Sequence, residues 1–98
     1  MTTIKLKNLI YTISSYDDGY DLYMNKDTSF DKNDLCILLH SDNTLEKKDL
    51  IYIFGIYALK DIIDNLCQQK PDFTVEDAIE SIKFYYTHDA FIEISEQN

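Results

Sequence analysis

The chain has no arginine and no tryptophan, and only two glycines, one proline and two cysteines in 98 residues. Each scarcity excludes something. Phosphate-cradling loops need several glycines for close backbone approach, and Gly19 and Gly55 each stand alone. Bidentate readout of phosphate or guanine takes arginine, and the nine cations, all lysine, face eighteen acids for a net charge of −9. Direct nucleic-acid binding is therefore disfavoured on electrostatic grounds. A zinc centre needs four converging ligands, but Cys36, His40, Cys67 and His88 include no closely spaced pair. Asp27, Asp31, Asn33 and Asp34 look like calcium ligands without the central glycine and terminal glutamate of an EF-hand loop, so solvated loop acids are the better account. The longest uncharged run, LIYIFGIYAL at 50–59, is ten residues, well short of the roughly 20 that a membrane helix needs. MTTIKLKNLI at the N-terminus has neither the apolar core nor the small-residue cleavage site of a secretory signal, which makes the cytoplasm the expected location.

Catalytic groups are equally sparse. Cys36 and Cys67 fall in apolar segments and are expected to be reduced, buried and inert. Asp17 and Asp18 sit together in a polar turn with nothing to raise a carboxyl pKa, and His88 beside Asp89 reads as a helix C-terminal residue. No enzyme and no cofactor are expected.

What is present describes a single small α+β domain spanning 1–98, in the order α-β-β-β-α-α. The 45% hydrophobic content, with eight tyrosines and five phenylalanines, is enough for a core. Leu6, Leu9, Ile10 and Ile13 recur at helical spacing and predict a first helix over 3–15, with Lys5, Lys7 and Asn8 outward. SSYDDG at 14–19 is a turn. Tyr20, Leu22 and Met24 then alternate with Asp21 and Tyr23, as in a strand with one wet face. After a polar loop at 25–34, LCILLH at 35–40 has the continuous apolar character of a central strand covered on both faces. A helical turn near Thr44 fits the connection to a third strand at 50–54, where periodicity alone leaves strand and helix open.

The second helix places Ile56, Leu59, Ile62, Ile63 and Leu66 on one face and stops before Pro71. Thr74 with Asp77 three positions on signals the start of the third helix. Its expected inner stripe is Val75, Ala78, Ile79, Ile82 and Tyr85 or Tyr86, with Glu80, Ser81 and Lys83 outside. Alternation at 90–95 fits a short last strand at the sheet edge.

An acidic surface speeds association with a basic protein. Two acidic groups are candidates for that contact. The first is Asp72, Glu76, Asp77 and Glu80 at the start of helix three; the second is Asp17, Asp18 and Asp21 around the first turn and strand. Together they could present one acidic wall. Tyrosines add area with a polar tip, as interfaces favour.

The segment DIIDNLCQQKPDFTVEDAIESIKFYYTHDAFIEI at 61–94 resembles a family of small bacterial proteins found beside polymorphic toxin genes, through Gln69, Lys70, Pro71, Tyr85, Tyr86, Asp89, Ala90 and Phe91. In size and acidity the whole chain is similar to immunity proteins of contact-dependent growth inhibition systems. It departs from that pattern in the tyrosine-rich stretch at 50–57. The resemblance implies a cytoplasmic partner, a cognate toxin domain such as a basic nuclease (an RNase or tRNase), neutralised by an acidic face that covers its active site. It adds Tyr85 and Tyr86 as aromatic anchors. A non-catalytic adaptor on another basic protein is the alternative, and a monomer is the working expectation for either.

Overall fold

The computed structural model describes residues 2–40 and 49–93. It is an α+β domain with one four-stranded antiparallel sheet and helices packed on it. The chain opens with a strand, β1 (Thr2–Lys5), and not with a helix. Thr2, Thr3 and Ile4 are β-branched, which favours a pleated strand over a helical turn. Helix α1 then spans only Leu6–Tyr11, and Ile13–Ser15 form a 3₁₀ turn, so the expected helix over 3–15 is shorter at both ends. Its inward face is as expected: Leu6, Leu9, Ile10 and Ile13 are all buried. No side chain caps α1, and the amides of Leu6 and Lys7 donate instead to the Asp34 and Lys32 carbonyls, each at 2.9 Å.

Strands β2 (Tyr20–Asn25), β3 (Leu35–His40) and β4 (Leu50–Gly55) follow, giving the spatial order β1-β3-β2-β4. The 50–54 segment is therefore strand. Helices α2 (Ile56–Gln69) and α3 (Val75–His88) pack against each other. Residues 90–93 form no strand, and the rest of the expected last strand, like the turn near Thr44, lies outside the described residues.

Register assigns the two faces of the sheet. Leu22 pairs with Leu38 and Met24 with Cys36, while Leu22 also faces Phe54 across β4. These five side chains join α1, α2 and α3 in a continuous core that includes Leu59, Ile62, Leu66, Ala78 and Ile82. The opposite face carries Tyr23 opposite both Ile37 and Tyr52, Asp21 opposite both Leu39 and Gly55, Leu35 opposite Lys5, and Leu50 opposite Asn25. None of these residues belongs to the core cluster, and Leu35 and Tyr52 are more than half exposed, but Leu39 and Gly55 are buried. β3 is interior in the sheet as expected, but its second face is only partly covered: Leu35 is 56% exposed and Ile37 partly exposed, while Leu39 is buried.

Two further expectations are corrected. Ser81 is buried at 2% exposure, because its hydroxyl donates to the Asp77 carbonyl at 3.0 Å and so satisfies itself within α3. Cys67 is exposed on α2, not buried. It lies one position past Leu66 on the helical wheel, and a step of 100° carries it off the buried stripe.

Candidate protein-binding face

Among the described residues, those that could do chemistry are dispersed or occupied. Cys36 is fully buried, and burial, with a smaller push from the Asp34 charge, raises its thiol to about 12. It cannot supply a thiolate at neutral pH. His88 Nδ1 lies 3.1 Å from the Phe84 carbonyl and its ring stacks on Phe84 at 4.1 Å. Among the described residues no three His, Cys, Asp or Glu side chains converge as a metal site, and no helix is long and apolar enough to cross a membrane. The loop acids that resemble calcium ligands hold the loop itself. Asp34 Oδ2 accepts from Thr28 Oγ1 at 2.6 Å and from the Asp31 amide at 3.2 Å, and Asp31 Oδ2 accepts from the Asn33 amide at 3.0 Å. Phe30, with φ at 60°, turns its ring inward to 8% exposure beneath Tyr86, at a centroid distance of 5.4 Å. A bulky residue in the left-handed region is strained, and burial of the ring offsets that strain.

The two acidic groups do not form one wall. Asp17 and Asp18 precede β2, whereas Lys32, which lies 3.8 Å from Glu76, follows the far end of that strand. Six residues of strand at about 3.4 Å each put about 20 Å between Asp17 and Asp18 and the far end of β2, with Asp21 near the start of that strand. Within the first group, Asp77 has an internal role. Its carboxylate accepts from the Thr74 amide at 3.0 Å while Thr74 Oγ1 accepts from the Asp77 amide at 3.1 Å, closing a capping box, and Lys70 Nζ stands 2.9 Å away. The backbone hydrogen bond first, then Lys70, hold the Asp77 carboxyl below its ordinary value. Asp72 and Glu80 are exposed and make no ion pair among the described residues.

Within the second group, Asp17 accepts from the Gly19 amide at 3.1 Å and lies 3.3 Å from His40 Nε2. The amide hydrogen bond, then His40, depress its carboxyl. Asp18 receives Lys60 Nζ at 2.7 Å. Tyr85 packs between Phe54 at 5.6 Å and Phe91 at 5.5 Å and is partly buried against the core, so it is mainly a packing residue. Tyr86 is 41% exposed and Phe91 42%.

Asp21 alone of the acids expected to bind a partner lies in the sheet, and it points to the uncovered face. There it meets tyrosines that sequence spacing does not connect. Tyr23 and Tyr52 are cross-strand neighbours in edge-to-face contact, with centroids 5.7 Å apart. Tyr57, at the start of α2, folds its ring back over Gly55: a methyl group there would lie 2.5 Å from Tyr57 Cε1 and 3.5 Å from Asp21 Oδ1. The Tyr52 hydroxyl is held above its ordinary value, first by partial desolvation and then by the Asp21 charge and the Tyr57 and Tyr23 phenols. Tyr52 and Tyr57 remain 51% and 57% exposed. Further along the same face a shallow open cavity of about 550 Å³ is lined by Leu35, Ile37 and Leu50 with Asn25, Asp27 and Asp34. The face is thus aliphatic and aromatic, with carboxylates around it. That composition suits a protein partner better than a small molecule, which needs a more enclosed pocket.

A family described as a domain of unknown function, DUF7716, matches residues 3–94. No curated protein and no solved structure matches the chain.

Proposed function

The chain belongs to the DUF7716 family, and we propose that this member is an immunity-type inhibitor that binds a positively charged toxin domain and covers its active site. A nuclease of RNase or tRNase type is the partner whose surface fits best, because a protein that grips nucleic acid presents lysine and arginine around its active site. The inhibitor acts in the cytoplasm, beside the substrate it protects, where Cys36 and Cys67 stay reduced. One observation carries this reading. A protein of net charge −9 exposes aromatic and aliphatic side chains on one sheet face and at the start of α2: among the described residues Tyr52, Tyr57 and Leu35 are each more than half exposed. Exposed apolar area of this kind marks a contact surface, and aromatic anchors ringed by carboxylates are what a basic target needs. Electrostatic attraction speeds encounter, and burial of the tyrosines slows release.

The experiment is co-expression with the C-terminal domain of whatever protein is encoded immediately upstream of this gene, the expected toxin. Growth arrest by that domain alone, rescue by this chain and co-purification of the two, weaker at high salt, is the expected result. Arrest without rescue and without a complex would overturn the reading, leaving an adaptor on another basic protein in its place.

A further inference from the structure

Resting on the inhibitor reading, we infer that the corner formed by Tyr23, Tyr52, Tyr57 and Asp21 is the seat for an arginine side chain of the basic partner. Three phenol rings converge there from two strands and the first turn of α2, and two of them are more than half exposed. The faces of aromatic rings carry negative potential and attract a cation laid on them. A carboxylate in the same corner, Asp21, makes no ion pair with any described residue. Among the described residues the nearby cations are committed elsewhere or distant. Lys60 is held by Asp18 at 2.7 Å and Lys26 lies 3.8 Å from Asp49. Lys5 shares the open face but sits on β1, three strand positions from β4, or about 14 Å at 4.8 Å per step.

No described cation fills the corner, so charge complementarity favours one supplied by the partner. Arginine fits better than lysine because its planar, weakly hydrated guanidinium can stack on a ring while donating sideways to a carboxylate. Gly55 is required for this geometry, since no other residue leaves room for the Tyr57 ring where it lies.

The probe is the peptide acetyl-Gly-Arg-Gly-amide, titrated into the full chain and followed by NMR of the tyrosine rings, with the citrulline peptide as its uncharged isostere. The expected result is that the Tyr52 and Tyr57 rings shift with the arginine peptide and not with the citrulline one. Asp21→Asn and Tyr52→Ala should each weaken the association about threefold, the size of an exposed cation–π or ion-pair contact, and Tyr52→Phe should not. Glu80→Gln removes the same charge as Asp21→Asn and should leave the association unchanged. Equal shifts from both peptides, or equal weakening by Glu80→Gln and Asp21→Asn, would overturn the inference. Neither outcome bears on whether a toxin complex forms, which co-purification decides separately.

Discussion

Replacing Asp77 by alanine tests whether this acid builds the protein or greets a partner. Its carboxylate closes the capping box with Thr74 through hydrogen bonds of 3.0 and 3.1 Å. Loss of the box costs about 1 kcal/mol, and loss of a negative charge in the first turn of α3 costs about 0.5 kcal/mol more. Alanine's better helix propensity returns about 0.5 kcal/mol. The net is about 1 kcal/mol, or a fall in Tm of about 4 °C for a domain of this size. Thermal and urea melts at pH 7 measure it. The pH dependence has a definite sign. Folding depresses the Asp77 carboxyl below its ordinary 3.8, so its contribution is fully present above that value and fades as pH falls through the lower, folded-state one. The gap between the parent protein and Asp77→Ala should be constant from pH 7 to about 5 and narrow below about 4. An unchanged Tm at pH 7, or a gap as wide at pH 3 as at pH 7, would refute the capping role and return Asp77 to the acids free to meet a partner.

Three other outcomes follow from the same structure. Leu66 is fully buried between α2 and the core, so Leu66→Ala should cost about 3 kcal/mol in urea denaturation, and a loss under 1 kcal/mol would mean that the α2 packing is misassigned. A mild thiol reagent at pH 8 should label one thiol per folded chain, exposed Cys67, and a second only in denaturant, because burial raises Cys36 to about 12; two thiols labelled at equal rates in the folded state would contradict this. Gly55→Ala places a methyl 2.5 Å from the Tyr57 ring, whose exposed side chain can swing aside, so stability should fall by only about 1 kcal/mol while the Tyr57 response to the arginine peptide disappears. A retained response would show that the ring does not depend on the glycine.

Where one segment's pattern determined an element, the sequence was a sufficient guide. Ile56, Leu59, Ile62 and Leu66 place α2, and Thr74 with Asp77 fix the start of α3 to the residue. The α+β class and the interior position of β3 follow from the same local patterns. At the N-terminus two signals overlapped: the helical spacing of Leu6, Leu9 and Ile10 is real, but the β-branched residues before it form a strand. Ser81 shows another limit. A polar residue at an inward position is hidden from pattern reading when its hydroxyl is satisfied by its own helix.

The candidate face was the least legible part. Asp21, Tyr52 and Tyr57 meet only because β2 pairs with β4, with a bulge that shifts the register between Leu22 and Tyr23 and leaves Ile53 buried. Spacing along the chain carries no trace of that pairing. Leu35 and Ile37 read as core because their run is uniformly apolar, and their exposure becomes visible only once the described helices are seen on the other side of the sheet. The acidic groups at the ends of β2 were legible as charge, but their internal partners, Lys60, Lys70 and His40, were not.

Amide hydrogen exchange of this chain, free and bound to the partner that co-purifies with it, tests most directly the proposal that the open sheet face is the inhibitory surface. The account predicts added protection at 20–25 and 50–57, with α3 unchanged. A complex that protects 72–86 and leaves β2 and β4 untouched would contradict it.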